Sequence, residues 1–121
     1  YDFSFSGLKT AVLYYLRDNP KTNPGDVAAS FQNAAIDVLT TKTVRAALEY
    51  DANSIIVAGG VAANAALRMS LKKMAQKAGV LFFAPPDTFN TDNAAMIGAA
   101  AYMQILIKKE YPMQANGNLS I

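Results

Sequence analysis

Two adjacent glycines and an asparagine follow the first short β-rich run of the chain. Gly59 and Gly60 come directly after residues 54–58, and Asn64 lies at the start of the next helical pattern. Glycine allows backbone conformations that a Cβ would forbid, and free N–H groups beside a helix N-terminus suit a phosphate. The amide of Asn64 can offer a donor and an acceptor to a ribose or phosphate. The pattern therefore predicts a nucleotide contact, with a plain strand-to-helix turn and a solvent-exposed Asn64 as the alternative.

A carboxylate occupies the equivalent place after the second β-rich run. Asp92 follows residues 80–83 and a proline-containing loop, at the predicted start of the last helix. Ligands gather at the carboxyl ends of strands in open α/β sheets, and an aspartate there can bind a cation. The alternative is helix capping, worth about 0.3–1 kcal/mol, and the neighbouring Asn93 has the same two interpretations. If the two strands are parallel, both candidate sites face one edge of the sheet, where a single ligand could contact Asn64 and Asp92.

The composition limits the chemistry that the chain can perform. Of its 121 residues 52% are hydrophobic, which suits one compact domain with a core, and the net charge of +2 does not by itself indicate a nucleic-acid binder. The chain has neither cysteine nor histidine. Disulfides, thiolate chemistry and an HExxH zinc site are therefore excluded, and any metal ligand must be a carboxylate, an amide, a hydroxyl or a backbone carbonyl.

The sequence also gives expectations about location. No secretory signal is visible, and the apolar run at residues 94–107 is shorter than the roughly 20 residues that span a bilayer. The absence of cysteine fits a reducing compartment. We therefore expect no membrane association and a cytoplasmic location.

Hydrophobic periodicity predicts an α/β fold with elements in the order α-α-β-α-β-α. The predicted helices cover residues 4–18, 24–49, 62–78 and 92–109, and the predicted strands cover residues 54–58 and 80–83. Ser4 or Ser6 would cap the first helix and Asn23 the second. The strands lack alternation, which is typical of strands covered on both faces, and the threonine-rich residues 40–43 suggest a bend in the second helix. Because two strands are few for an independent sheet, we expect a segment of a larger domain.

Three sequence blocks resemble the C-terminal half of a known family. They are DFSFSGLKTAV at residues 2–12, VAGGVAANAALR at 57–68 and FNTDNAAMIGAAA at 89–101. In this order and spacing they resemble the TsaD family, the tRNA N6-adenosine threonylcarbamoyltransferases, formerly called O-sialoglycoprotein endopeptidases. The resemblance implies that residues 1–109 form most of the second lobe of a two-lobed actin-like (ASKHA, sugar-kinase-like) ATPase fold. Residues 110–121 would then be a loosely ordered C-terminal tail.

The same resemblance implies roles for the residues singled out above. The turn at Gly59 and Gly60 would belong to the adenosine-binding segment, and Asn64 would contact the nucleotide part of the substrate. Asp92 would bind a divalent metal, iron, together with two histidines of an HxxxH helix in the first half of the family's fold. This chain has no histidine, so the metal site within it can only be partial. One departure is visible, because Asn90 stands where the family usually has cysteine.

The activity that the resemblance implies is the transfer of a threonylcarbamoyl group during tRNA modification. The donor would be threonylcarbamoyl-adenylate (threonylcarbamoyl-AMP), and the acceptor would be the exocyclic amine of the adenosine beside the anticodon in certain tRNAs. Family members work with a paralogous subunit and, in bacteria, with a small P-loop ATPase, so we expect these partners as well. The chain offers no obvious general base, so its catalytic residues are unknown, and we expect the isolated segment to be inactive.

Two other functions fit parts of the sequence. The equivalent lobe of an actin-like sugar or polyol kinase shares the glycine turn followed by asparagine, but not the first and third blocks. A non-catalytic module would instead bind a protein partner through exposed apolar faces of the first two helices. Residues 3–9 could shape a substrate loop or contact tRNA, or form a hydrophobic staple of Phe3 against Leu8 around a Ser4 cap. The lysines of the third helix could contact phosphates or form a solvated helix face.

Overall fold

The computed structural model describes residues 1–108, which form two units, residues 1–90 and residues 91–108. The first unit contains helices α1 (Phe5–Asp18) and α2 (Pro24–Glu49), strand β1 (Ser54–Ile56), a 3-10 turn (Gly60–Ala63), helix α3 (Ala65–Lys77), strand β2 (Leu81–Phe83) and a second 3-10 turn (Asp87–Phe89). Helix α4 (Ala94–Leu106) belongs to the second unit. The α/β class and the order of helices and strands are confirmed. The predicted tail at residues 110–121 lies outside the described residues, and the actin-like lobe stays a prediction.

Helices α1 and α2 begin at caps that the sequence predicts. Of the two candidate serines Ser4 caps α1, because its Oγ accepts a hydrogen bond from the Gly7 N–H at 3.1 Å. Asn23 caps α2 by accepting from the Gly25 N–H at 3.0 Å. Pro24 lies in the first turn of α2, where its missing N–H costs no helical hydrogen bond. Local chemistry therefore fixes where both helices start.

Helix α2 runs unbroken through the threonine-rich residues 40–43, for which the sequence predicts a bend. Thr40 is buried, and its Oγ1 donates a hydrogen bond to the Oγ of Ser70 on α3 at 3.2 Å. Val44, one turn further along, is buried in the core. Packing on this face outweighs the helix propensity of threonine, which lies at most about 0.7 kcal/mol per residue below that of alanine.

Replacing Thr40 with valine is expected to lower the free energy of unfolding by about 1 kcal/mol, because valine keeps the shape but leaves the Ser70 hydroxyl without its partner. Chemical denaturation of the full-length protein measures the change. Thr41→Val, at an exposed position of the same helix, is the matched control. A cost at Thr40 no larger than that at Thr41 would show that the interhelical hydrogen bond adds no stability.

The two strands pair in parallel. The paired residues are Ser54 with Leu81, Ile55 with Phe82, and Ile56 with Phe83. The hydrogen bonding continues past the last residue pair at the carboxyl end of the strands, where the Val57 N–H donates to the Phe83 carbonyl at 3.0 Å. Because the strands are parallel, the glycine turn after β1 and the proline-containing loop after β2 leave the sheet at the same edge. This part of the sequence prediction is confirmed.

The core of the first unit lies between helices α2 and α3 and one face of the sheet. Its buried members are Val44, Ala47, Ile55, Ala75 and Val80. The opposite face of the sheet exposes Ile56 and Phe83, at 72% and 53% of their surface. The prediction that the strands are covered on both faces is therefore wrong for the described residues. Each strand has only three residues, and an apolar run of that length is compatible with a sheet that is covered on one face or on both.

The first residues of the chain lie along α2. The Tyr1 hydroxyl donates a hydrogen bond to the Glu49 carboxylate, and the Arg45 guanidinium carbon lies 4.7 Å from the centre of the Tyr1 ring. Lys42 donates to the backbone carbonyl of Asp2. The hydrogen bond to Glu49 raises the pKa of the Tyr1 hydroxyl, because ionisation would lose the bond and place two negative charges side by side. These contacts hold the segment that leads into α1.

Helix α4 is shorter at both ends than the predicted span of residues 92–109. It begins after its cap residue Asn93, whose Oδ1 accepts a hydrogen bond from the Met96 N–H at 2.9 Å, and it ends at Leu106. Among the helices within residues 1–108, none combines the length and the apolarity that crossing a membrane requires.

Candidate functional site

The turn between β1 and α3 contains a backbone conformation that requires glycine. Gly59 has φ 91° and ψ 174°, a region that residues with a Cβ essentially do not occupy. Its carbonyl accepts a hydrogen bond from the Ala62 N–H at 3.0 Å, which closes the first part of the 3-10 turn. The N–H groups of Gly59 and Gly60 have no acceptor among residues 1–108. The backbone conformation of the turn therefore explains why residue 59 is glycine. The two exposed N–H groups after β1 remain free to donate hydrogen bonds to a ligand.

Asn64 is the N-cap of α3, which begins at Ala65 and not at residue 62 as predicted. Its Oδ1 accepts a hydrogen bond from the Leu67 N–H at 3.1 Å, and its Nδ2 donates to the Oε1 of Gln32 on α2 at 3.3 Å. The side chain is half-buried, so it is not simply exposed to solvent. Since the amide oxygen accepts the cap hydrogen bond and one Nδ2 hydrogen is donated to Gln32, the second Nδ2 hydrogen is a donor that Asn64 can still offer a ligand.

An apolar cleft of about 540 Å³, here called the α1–α2 cleft, lies between α1, α2 and the start of α3. Its apolar walls include Phe5, Val12, Leu16, Val27, Phe31, Ala35, Ile36, Leu39, Val61 and Leu67. Its polar lining comes from Lys9, Gln32 and Asn64. The volume lies in the range of roughly 300–1,000 Å³ that small-molecule sites occupy, and a few polar groups on apolar walls are their usual lining.

Neither the α1–α2 cleft nor Gln32 is evident from the sequence. The apolar stripes of the two helices are visible, but neighbouring stripes normally predict close contact, whereas α1 buries none of its residues fully. Gln32 lies outside the three family-like blocks, and its approach to Asn64 depends on how α2 packs against α3. The one sequence feature that could have pointed to Gln32 is its position directly after Phe31, a residue predicted to face inward.

Asp92 belongs to the second unit and precedes the cap of α4. The alternative that Asp92 caps this helix is wrong, because Asn93 caps it. The Asp92 carboxylate is exposed, and it has no hydrogen bond or ion pair with another described residue of its own unit, residues 91–108. The described residues 1–108 contain no group of three or more histidine, cysteine, aspartate or glutamate side chains that could hold a metal. Asp92 thus offers one carboxylate, and a ligand shared with Asn64 stays a prediction.

One family model matches most of the chain. The model described as TsaD, tRNA N6-adenosine threonylcarbamoyltransferase, matches residues 1–99, which include the glycine turn, Asn64 and Asp92. The chain belongs to the TsaD family. The sequence resemblance is therefore confirmed at the level of the family.

Several relatives in the TsaD family have the name tRNA N6-adenosine threonylcarbamoyltransferase. The protein from Moorella thermoacetica is 52% identical over 119 residues, which cover 95% of this chain and 35% of the relative. The protein from Kosmotoga olearia is 54% identical over 102 residues, covering 84% of this chain and 31% of the relative. The protein from Bacillus subtilis is 53% identical over 105 residues, covering 83% and 30%. The chain thus spans about a third of the length of these relatives.

The loop after β2 of this TsaD-family chain is held against α3. Arg68 donates hydrogen bonds to the Asp87 carboxylate and to the backbone carbonyl of Pro85. Asn90, the departure from the family's usual cysteine, is buried and donates to Asp87 Oδ1 at 3.3 Å. Its own Oδ1 is buried without a hydrogen-bond partner among the described residues. Asn90 therefore takes part in loop packing, and Arg68 is engaged in the same loop.

The remaining candidates from the sequence lie on α1 and α3. Phe3 contacts Phe5 edge to face, with ring centroids 4.5 Å apart, and both Phe3 and Leu8 are half-buried at the staple positions around Ser4. Lys9 from the same block lines the α1–α2 cleft. The three lysines of α3 are exposed: Lys72, Lys73 and Lys77. Exposure fits both interpretations of these residues, as phosphate contacts and as a solvated helix face. The first block thus contributes both to a helix start and to the cleft.

Proposed function

We propose that this chain is the nucleotide-binding part of the second, actin-like lobe of a tRNA threonylcarbamoyltransferase. The full-length protein would transfer threonylcarbamoyl from threonylcarbamoyl-adenylate to the exocyclic amine of the adenosine beside the anticodon. Membership of the TsaD family supports this reaction and favours it over the sugar or polyol kinase alternative. The observation that carries the assignment to this segment is the α1–α2 cleft, whose lining includes Asn64 and Val61, the residue that follows the glycine pair.

The α1–α2 cleft has the chemistry that an adenylate requires. The flat, apolar faces of adenine suit the aliphatic and aromatic walls that α1 and α2 provide. The second Nδ2 hydrogen of Asn64 can donate to an acceptor on the base or the ribose. For the phosphate, the N–H groups of Gly59 and Gly60 and the ammonium group of Lys9 are positive partners. Binding and orientation of the adenylate are the roles proposed for these residues.

Asp92 is proposed as one ligand of a divalent metal, iron. A single exposed carboxylate without a partner among residues 91–108 fits the role of one oxygen ligand. A complete site needs more ligands, which would come from the part of the full-length protein outside this chain. When bound, the metal polarises the substrate carbonyl or holds its carboxylate or phosphate. Since Asn93 fixes the start of α4, the backbone that carries Asp92 is held next to an ordered cap.

The transfer joins the adenosine amine to the carbonyl carbon of the threonylcarbamoyl group. The bond between that carbon and the phosphate oxygen breaks, AMP leaves with the electron pair, and the amine nitrogen loses a proton. We assign no residue of this chain as the base. The proposed partners are tRNA, a paralogous subunit and a small P-loop ATPase, and the proposed location is the cytoplasm.

Replacing Asn64 with serine in the full-length protein is expected to weaken adenylate binding about three- to tenfold, the loss that follows from one hydrogen bond. Serine caps helices as well as asparagine does, so α3 keeps its start while the amide N–H is lost. Calorimetric titration with a non-hydrolysable threonylcarbamoyl-adenylate analogue measures the dissociation constant. Asn23→Ser, at an N-cap whose side chain does not line the cleft, is the control. Equal affinities of Asn64→Ser and Asn23→Ser for the analogue would count against the assignment of the α1–α2 cleft as the adenylate site.

A further inference from the structure

The amide of Asn64 is held in one orientation by two hydrogen bonds. Its Oδ1 accepts from the Leu67 N–H at 3.1 Å, and its Nδ2 donates to Gln32 Oε1 at 3.3 Å. A flipped amide would place Nδ2 against the Leu67 N–H and Oδ1 against Gln32 Oε1, which pairs donor with donor and acceptor with acceptor. The cap bond from Leu67 sets the orientation of the Asn64 amide, and the bond to Gln32 adds a second restraint that favours the same orientation.

Gln32 reaches the α1–α2 cleft from α2, while Asn64 reaches it from the start of α3. The Gln32 side chain is exposed, and its Nε2 has no acceptor among residues 1–108. Asn64 Oδ1 and Gln32 Oε1 each accept one hydrogen bond already, and the N–H groups that remain on Asn64 Nδ2 and Gln32 Nε2 are free to donate to a ligand. This end of the cleft can therefore donate hydrogen bonds to acceptor atoms of a ligand, such as ring nitrogens or ribose oxygens.

We propose that Gln32 is a positioning residue for the adenylate. By accepting a hydrogen bond from Asn64, it keeps the remaining Asn64 N–H available to an acceptor atom of the base or ribose. Loss of Gln32 would free the Asn64 amide from one of its two restraints and lower the fraction of molecules that present the donor correctly. This role rests on the proposed function, because it assigns Gln32 to the same nucleotide site.

A double-mutant cycle in the full-length protein tests the role of Gln32, with the non-hydrolysable threonylcarbamoyl-adenylate analogue as the probe. Gln32→Leu, which keeps the bulk but removes the acceptor, is expected to weaken binding about three- to tenfold. In the Asn64→Ser background the same change is expected to weaken binding less than about twofold, because the two residues act as one unit. Asn33→Leu, at the exposed neighbouring position of α2 outside the cleft lining, is the control and is expected to leave affinity unchanged.

Steady-state kinetics separates positioning from a purely structural effect. Gln32→Leu is expected to raise the KM for the adenylate while kcat stays within about twofold, because the lost interaction is the same in the ground and transition states. Equal weakening by Gln32→Leu in both backgrounds would overturn the positioning role. So would full affinity of Gln32→Leu alongside weak binding by Asn64→Ser, and that result would leave the proposed function intact. Full affinity of both variants would contradict the nucleotide site itself.

Discussion

Replacing Asp92 with alanine in the full-length protein is expected to empty the metal site and to lower threonylcarbamoyl transfer at least about 100-fold, the upper range seen when residues that merely support metal ligands are lost. The fold is expected to survive the change. The carboxylate has no partner among residues 91–108, and Asn93 keeps the cap of α4. Elemental analysis of the purified protein measures metal occupancy, and thermal denaturation checks that the protein stays folded.

The control for Asp92→Ala is Asp37→Ala, which removes an exposed carboxylate from α2. This control is expected to keep both metal and activity. Full metal occupancy of Asp92→Ala would rule out the assignment of Asp92 as a ligand. Unchanged transfer activity, with binding of a paralogous subunit retained, would favour the alternative in which this segment is a non-catalytic module.

Replacing Gly59 with alanine is expected to lower the free energy of unfolding by about 1–3 kcal/mol, because φ 91° and ψ 174° place the residue in a region that only glycine occupies without strain. Adenylate binding is expected to weaken as well, since relief of the strain would move the N–H groups that follow β1. Chemical denaturation and calorimetric titration of the full-length protein measure the two effects.

Gly60 provides the comparison for stability. Gly60 has no positive φ, and a Cβ added to it meets nothing within 4 Å. Gly60→Ala is therefore expected to change the free energy of unfolding by no more than about 0.5 kcal/mol, as at ordinary surface positions. Equal losses of stability for the two substitutions would mean that backbone strain at Gly59 is not what selects glycine there.

Much of the fold follows from local sequence rules. Ser4 and Asn23 cap the helices they were expected to cap, and the predicted order of elements is that of the structure. The errors lie where tertiary contacts or competing turns decide. Residues 60–63 form a 3-10 turn, so α3 starts later than its apolar pattern suggests. Thr40 stays helical because it is buried against α3.

The candidate site shows what a sequence motif can and cannot specify. Gly59, Gly60, Asn64 and Asp92 were identified from their spacing and from the family resemblance, and the need for glycine at residue 59 is visible in its φ angle. The cap role of Asn64 could have been read from the chain, since asparagine is among the best N-caps. The pairing with Gln32 could not, because residues 32 positions apart meet only through the packing of α2 and α3. The common edge of the two strands is confirmed, while the approach of Asp92 to the nucleotide stays a prediction.

A crystal structure of the full-length protein with a non-hydrolysable threonylcarbamoyl-adenylate tests most directly whether the α1–α2 cleft is the nucleotide site. The expected result is an adenine between α1 and α2, with an acceptor atom of the base or ribose about 2.7–3.2 Å from Asn64 Nδ2. The phosphate is expected near the N–H groups of Gly59 and Gly60. An adenylate bound elsewhere, with Asn64 making only its cap and its bond to Gln32, would contradict the assignment.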